Sequence, residues 1–157
     1  MSERRIVIFC DGACSGNQFG KNWGGWGCVL SCGGQVKELC GGEPNTTNQR
    51  MELLACIRAL EAVKAVRTPI EVHSDSAYLV SCMHQKWYER WRRNGWKNAQ
   101  KKPVDNRDLW ERLLERVERL PVTFHKVTGH SGVELNERAD VLARQGIEAI
   151  RGGGAPG

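Results

Sequence analysis

No stretch of this 157-residue sequence contains the ~20 consecutive apolar residues that a membrane-spanning helix requires. The polar start of the chain and the short apolar run at 6–10 do not resemble a secretion signal. Internal repeats are also absent. We therefore expect one cytoplasmic domain without a membrane partner, and a chain of this length can bury a core without disulfides.

Seven cysteines without a secretion signal indicate free thiols in a reducing compartment. Two pairs have the spacing of zinc ligands, Cys10 with Cys14 and Cys28 with Cys32. Cys10 and Cys28, however, lie in apolar runs typical of strands, where a free cysteine acts as a small buried hydrophobic side chain. Burial is the favoured interpretation, and a zinc site is the alternative.

Hydrophobic periodicity predicts five strands and four or five helices. The strands are expected at 6–10, 28–31, 35–40, 70–74 and 122–127. The helices are expected at 48–66, within 76–98 (one or two), around 109–117 and at 134–150.

This order of elements predicts an α/β fold with a mixed five-stranded sheet. The first three strands follow one another through short turns and should be antiparallel, whereas strands separated by helices should be parallel. We expect helices on both faces of the sheet, a single domain over residues 1–150, and a disordered glycine-rich tail over 151–157.

Four acidic residues are the candidates for chemistry. Asp11 and Asp75 each follow an apolar strand, and the carboxyl ends of parallel strands are where ligands collect. Two carboxylates brought together there need a cation, although an Asp often only caps the next turn or helix. Glu52 and Asp140, taken singly, resemble ordinary exposed helix acids, so the prediction depends on all four together.

The sequence around these acids resembles type 1 ribonuclease H, of the bacterial kind, over most of the chain. The matching blocks, in order, are 11–17 (DGACSGN), 46–53 (TTNQRMEL), 74–78 (SDSAY), 127–132 (VTGHSG) and 136–140 (NERAD). The resemblance implies a ribonuclease H-like fold and an endonuclease that hydrolyses the RNA strand of RNA–DNA hybrids, leaving 5′-phosphate and 3′-hydroxyl ends.

In that family four carboxylates hold two Mg²⁺ ions with substrate, and by match they are Asp11, Glu52, Asp75 and Asp140. Mg²⁺ prefers oxygen ligands and keeps waters that substrate oxygens can replace, and Mn²⁺ is a possible substitute. Two such ions activate the attacking water and stabilise the leaving oxygen. His130 matches a histidine on a mobile loop that assists proton transfer or product departure, and a surface histidine without a role is the alternative.

The resemblance also implies substrate contacts. Cys14, Asn48 and Gln49 match residues that line the minor groove of the RNA strand, where the 2′-hydroxyl distinguishes RNA from DNA. Gln49 departs from the family's usual Asn, which can shift this contact. Thr47 is expected at a phosphate of the DNA strand and Asn17 at the rim of the site.

A basic segment at 84–107 carries eight basic and two acidic residues, a net charge of +6 against +5 for the whole chain. It matches the family's basic handle, which grips the DNA strand. The predicted contacts are Trp87, Trp91, Arg92, Arg93, Trp96 and Lys97. Packing of short helices is the alternative role for the tryptophans, and for Trp87 and Trp91 it should hold in part.

Two rival functions share the predicted fold. A non-catalytic hybrid-binding module would have lost one or more of the four acids, yet all are present. A relative of the integrase or resolvase type would not need the basic handle or the Asn48-Gln49 pair. No extension for hybrid binding precedes the domain, so we expect a monomer without an obligate protein partner.

Overall fold

The computed structural model describes residues 5–16, 20–64, 67–128 and 134–151. These residues form five strands and five helices. The strands are β1 (Ile6–Gly16), β2 (Asn22–Cys32), β3 (Gln35–Pro44), β4 (Ile70–Ser74) and β5 (Val122–Lys126). The helices are α1 (Asn48–Glu61), α2 (Ala77–Gln85), α3 (Trp87–Asn94), α4 (Arg107–Val117) and α5 (Glu134–Arg151).

The five strands form one mixed sheet with the order β3-β2-β1-β4-β5. β1 and β3 each pair with β2 in antiparallel fashion, and β4 is parallel to both β1 and β5. The predicted mixed sheet, with antiparallel first strands and parallel later ones, is confirmed.

The first three strands are longer than predicted. β1 does not end at Asp11 but continues to Gly16, because it stays paired with β2 after its pairing with β4 ends at Phe9. β2 and β3 likewise include glycine-rich segments at 22–27 and 41–42. Glycines carry no side chains, so these segments lack the alternation by which a strand is recognised.

Helix α1 ends at Glu61, with Ala62 as its C-cap, and therefore stops before the predicted residue 66. Val63 lies beyond the helix yet is buried. The apolar pattern therefore continued past the end of the helix, because it reports burial and not only helical backbone. Helix α5 includes Arg151, one residue beyond the predicted domain boundary. The rest of the predicted tail, 152–157, lies outside the described residues.

Two hydrophobic clusters occupy opposite faces of the sheet. The larger one joins Ile8, Cys10 and Cys28 to the buried sides of α1, α2 and α4. The smaller one joins Phe9 and Val29 to Ala139 and Leu142 of α5. Helices therefore cover both faces, as predicted. Within the described ranges, no helix is long and apolar enough to cross a membrane.

The second half of α5 lies directly on the backbone of β2 and β3. A Cβ atom added to Gly25 would stand 1.9 Å from the Ala143 carbonyl oxygen, and one added to Gly146 would stand 2.0 Å from that of Gly41. Only glycine fits such an approach. We call this contact, made by Gly25, Gly27, Gly41, Gly42 and Gly146, the glycine seam.

Candidate active site

Three of the four predicted acids meet at one point of the sheet. Asp11 on β1, Glu52 on α1 and Asp75 directly after β4 each offer a carboxylate oxygen, and these oxygens lie within 4.8 Å of one another. Phe9 and His73, two residues earlier on β1 and β4, are partners in the parallel pairing, so the sheet places Asp11 and Asp75 side by side. This group is the acidic cluster of the site.

Gly12 determines how closely α1 approaches the sheet beside the cluster. A Cβ atom at this position would stand 2.5 Å from the backbone nitrogen of Glu52 and 2.8 Å from the Met51 Cβ. Since real Cβ atoms do not approach that closely, a side chain here would push the first turns of α1 away. The glycine that follows Asp11 therefore brings Glu52 to the cluster.

Asp75 does not cap a helix, and Glu52 is not an exposed helix acid, so neither has the ordinary structural role of an acidic residue. Helix α2 is capped by Ser76, whose hydroxyl accepts a hydrogen bond from the Leu79 N–H at 3.1 Å, and not by Asp75. Glu52 is only 7% exposed, so it is not a solvated helix acid. Its Oε1 is buried and has no hydrogen-bond partner among the described residues.

Burial and mutual repulsion oppose ionisation of the cluster. Burial raises the pKa of Asp11 to about 7, and the neighbouring Asp75 carboxylate contributes to the same shift. Burial likewise raises the pKa of Glu52 to about 9, with further contributions from Asp11 and Asp75. A bound cation would relieve both effects, and carboxylate oxygens are the ligands that hard divalent cations prefer.

Asp140 lies next to the cluster on α5, and its carboxylate adds to the negative charge around Asp11. Its side chain is 46% exposed and forms an ion pair with Arg144 at 2.7 Å. The fourth predicted acid is therefore at the site, beside Asp11, but it is engaged by a neighbouring arginine.

The predicted contacts with the RNA strand, together with Thr47, which is predicted to contact the DNA strand, lie on two exposed segments. Cys14 lies on the part of β1 that pairs with β2 alone, while Asn48 and Gln49 begin α1. Thr47 is exposed and caps α1, its hydroxyl accepting from the Arg50 N–H at 3.1 Å. These positions leave the four side chains accessible to a ligand, and their contacts with substrate stay predictions.

The basic segment forms an open groove of about 820 Å³ around α3 and the loop that follows it. The structure thus places Trp87, Trp91, Arg93 and Lys97 of the predicted contacts in one groove. The groove is also lined by three basic residues of the segment that were not among the predicted contacts, Lys86, Arg90 and Lys101. Helical spacing could have identified Arg90, because it stands three residues before Arg93 on α3.

Two predicted contacts of the segment face elsewhere. Arg92 forms a two-bond ion pair with Glu118, at 2.6 and 3.1 Å, and lies over the ring of Tyr88. Trp96 is only 7% exposed, and its ring centroid is 5.7 Å from that of Trp91. Arg92 therefore ties the segment to the end of α4, and Trp96 packs within the segment. The contacts of both residues with substrate remain untested predictions.

The remaining predictions concern cysteines and two motif residues. Cys10 and Cys28 are buried in the larger cluster, as expected, and all seven cysteines are free. No cysteine belongs to a metal-ligand group in the part of the chain that the structure describes. Asn17 and His130 lie outside the described residues.

The sequence matches known proteins along most of its length. The family model described as RNase H matches residues 3–148. The chain is 53% identical over 146 residues to ribonuclease H of Chlorobaculum parvum, covering 93% of this chain and 97% of that protein. It is 51% identical over 152 residues to ribonuclease H of Rhizobium johnstonii, covering 97% of each.

Solved structures give the same result at lower sequence identity. LC9-RNase H1, described as a type 1 RNase H with the type 2 active-site motif, superposes with a TM-score of 0.81 at 30% identity, over 95% of this chain and 74% of that one. LC11-RNase H1, solved in complex with an RNA/DNA hybrid, gives 0.67 at 26% identity, over 94% of this chain and 99% of that one. With its acidic motifs, sheet order and relatives in agreement, the chain belongs to the ribonuclease H family, and the predicted type 1 resemblance is confirmed.

Proposed function

We propose that the protein is a magnesium-dependent endonuclease that hydrolyses the RNA strand of RNA–DNA hybrids and leaves 5′-phosphate and 3′-hydroxyl ends. The observation that carries this proposal is the acidic cluster, three carboxylates within 4.8 Å of one another, one of them buried with an unpartnered oxygen. Such a group is costly for the fold unless a cation occupies it.

The donor set fits a hard cation. The cluster offers only carboxylate oxygens. Such ligands favour Mg²⁺, with Mn²⁺ as a substitute, over metals that prefer thiolate or imidazole ligands. Asp11, Glu52 and Asp75 would hold the metal. Asp140 would complete the ligand set by giving up its ion pair with Arg144 and binding the metal instead. Two Mg²⁺ ions held there would supply an activated water for in-line attack on the phosphodiester and would neutralise charge on the leaving 3′ oxygen.

The protein's own residues supply position and binding. The acids orient the reacting phosphate at the point where the pairing of β1 with β4 ends. Asn48, Gln49 and Cys14 contact the RNA minor groove, where the 2′-hydroxyl distinguishes RNA from DNA. The groove around α3 holds the DNA strand through its phosphates. His130, by its motif, assists proton transfer or product departure.

The hybrid as substrate is supported by LC11-RNase H1, a structural neighbour that was solved with an RNA/DNA hybrid. The basic groove adds support, because five basic side chains and one acidic side chain line it. We expect a cytoplasmic monomer that needs no protein partner, with residues 1–150 as its catalytic domain.

The test is a substrate panel. Labelled hybrid, duplex DNA, duplex RNA and both single strands are incubated with the protein in Mg²⁺, Mn²⁺, Ca²⁺ or EDTA. We expect cutting of the RNA strand of the hybrid in Mg²⁺ and Mn²⁺, with ligatable 5′-phosphate ends. Ca²⁺ prefers more ligands at longer distances, so it should bind, fail to support cutting and inhibit in the presence of Mg²⁺.

The panel also separates the rival functions. A non-catalytic module would bind the hybrid without cutting it in either metal. An integrase-type or resolvase-type relative would cut a DNA substrate. Cutting of the hybrid in EDTA would show that the acidic cluster is not a metal site.

A further inference from the structure

We propose that Asn22 is a positioning residue for substrate recognition, which fixes the turn that presents Asn48 and Gln49. The inference deepens the proposed function and rests on it, because it assumes that these two side chains read the RNA strand. Nothing in the acidic motifs singles out Asn22, which is the first residue of β2.

Three hydrogen bonds join Asn22 to the turn between β3 and α1. Its side-chain Nδ2 donates to the Thr46 carbonyl oxygen at 3.0 Å, and its Oδ1 accepts from the Thr46 N–H at 2.8 Å. The main-chain oxygen of Asn22 accepts from the Asn45 N–H at 2.9 Å. One residue thus satisfies the backbone of two consecutive turn residues.

The turn has little else to define it. Asn45 has a φ of +52°, in the left-handed region, which asparagine adopts more readily than most other residues but which the hydrogen bond to its N–H helps to hold. Thr46 is buried, and Gly24 leaves room for it, since a Cβ atom there would stand 2.3 Å from the Thr46 Cγ2. Thr47 then caps α1, so the position of Thr46 sets where the helix begins.

The first turn of α1 is held at a second point by Arg50. Its guanidinium donates to both carboxylate oxygens of Asp108, at 3.0 and 2.9 Å, and so ties α1 to the start of α4. Asn48 and Gln49 stand between this tie and the Asn22 bonds. A short segment fixed at both ends presents side chains with little freedom to lose on binding, which favours discrimination between similar ligands.

The test compares Asn22→Ala with Asn94→Ala. Asn94 makes the same two-bond contact with a backbone, donating to the Lys97 carbonyl oxygen at 3.0 Å and accepting from the Lys97 N–H at 2.9 Å, but in the basic segment. We measure affinity for hybrid and for duplex DNA in Ca²⁺, then KM and kcat in Mg²⁺, well below each variant's melting temperature.

Asn22→Ala should lower the hybrid-to-DNA affinity ratio and raise KM for the hybrid, each about fivefold, as expected for the loss of one or two hydrogen bonds. Its kcat should change less than KM, because the acidic cluster is untouched. Asn94→Ala should weaken both duplexes alike and leave the ratio unchanged. Asn22→Asp keeps the acceptor for the Thr46 N–H but sets a second carboxylate oxygen against the Thr46 carbonyl oxygen, so its ratio should fall at least as far as that of Asn22→Ala.

An unchanged affinity ratio in Asn22→Ala, with only a lower melting temperature, would make Asn22 a purely structural residue and overturn the inference. The same ratio loss in Asn94→Ala would do so as well. If Asn22→Ala does not fold, Asn22→Gln, which keeps the donor and the acceptor but moves both one methylene further out, decides by the same ratio. A wild-type protein that neither cuts nor prefers the hybrid would instead overturn the proposed function, a result distinct from either of these.

Discussion

The acidic cluster and the basic groove each bring together charges of one sign, negative in the cluster and positive in the groove, but they place those charges differently. In the cluster, like charges lie at short range on buried or partly buried side chains, and the close approach of α1 at Gly12 places Glu52 near Asp11. In the groove, like charges are spread over exposed side chains of α3 and its loop, where water screens their repulsion. The first region depends on geometry and the second on the number of charges, so substitutions should affect them in different ways.

Removal of one acid should have the largest effect. Asp11→Asn should keep the fold and lower kcat on the hybrid by roughly a thousandfold, the scale seen when a group that stabilises transition-state charge is lost. Steady-state kinetics in Mg²⁺ measure it, with Glu148→Gln, an exposed acid of α5, as the matched control. Near-normal turnover of Asp11→Asn would remove the cluster from the mechanism.

In the basic groove, a paired substitution should change binding and spare chemistry. Arg93→Ala with Lys97→Ala should raise KM for the hybrid and leave kcat nearly constant. Each lost phosphate contact should also flatten the log–log salt dependence of binding by about 0.9. A salt titration in Ca²⁺ measures this slope, and a slope equal to that of wild type would mean that the hybrid does not lie in the groove.

Metal-free stability should depend on pH through the cluster. The pKa values of Asp11 and Glu52, about 7 and about 9 in the fold, exceed those of unfolded acids near 4. The folded state therefore retains protons that the unfolded state has lost, and stability should fall as pH rises from about 4 to 9. Thermal unfolding in EDTA at several pH values measures the fall, and Mg²⁺ should reverse it.

Glu52→Gln should flatten this dependence and melt several degrees above wild type in EDTA at pH 8, at about 2–4 °C per kcal/mol. Glu61→Gln on the same helix is the control, and its effect on stability should have the opposite sign. The hydrogen bond from Arg112 holds the pKa of Glu61 below its usual value, so its contribution is present at neutral pH and lost on acidification. Equal responses of the two variants would contradict the repulsion within the cluster.

The smallest effect is expected from Arg92→Ala. This variant tests whether a positive charge of the basic segment contributes to binding when it does not line the groove. Arg92 is paired with Glu118 and does not line the groove. Its loss should leave the salt slope of binding unchanged and cost less than about 1 kcal/mol of stability, since the pair is exposed. A slope change as large as that of Arg93→Ala alone would show that the Glu118 pair opens when substrate binds.

The fold and the meeting of three of the four acids were predictable from the sequence, because both depend on local patterns and on motif order. Strand β4 and the four acids were located from a handful of residues each. The extent of β2, the end of α1 and the role of Asn22 were not predictable in this way. Each depends on contacts between parts of the chain that are distant in sequence. The glycines of β2 lie against α5, Val63 is buried in the core after α1 has ended, and Asn22 of β2 bonds to Thr46 in the turn before α1.

The glycine seam has a consequence for how substitutions in this protein would be scored. None of its glycines has a side chain to offer a ligand, yet an alanine at Gly25 or Gly146 must displace α5 from the sheet. Helix α5 also carries Asp140, so such a displacement moves a candidate metal ligand. In a screen for activity, the seam glycines would therefore be as intolerant as the acids themselves, and a library that spares only polar residues would overlook them.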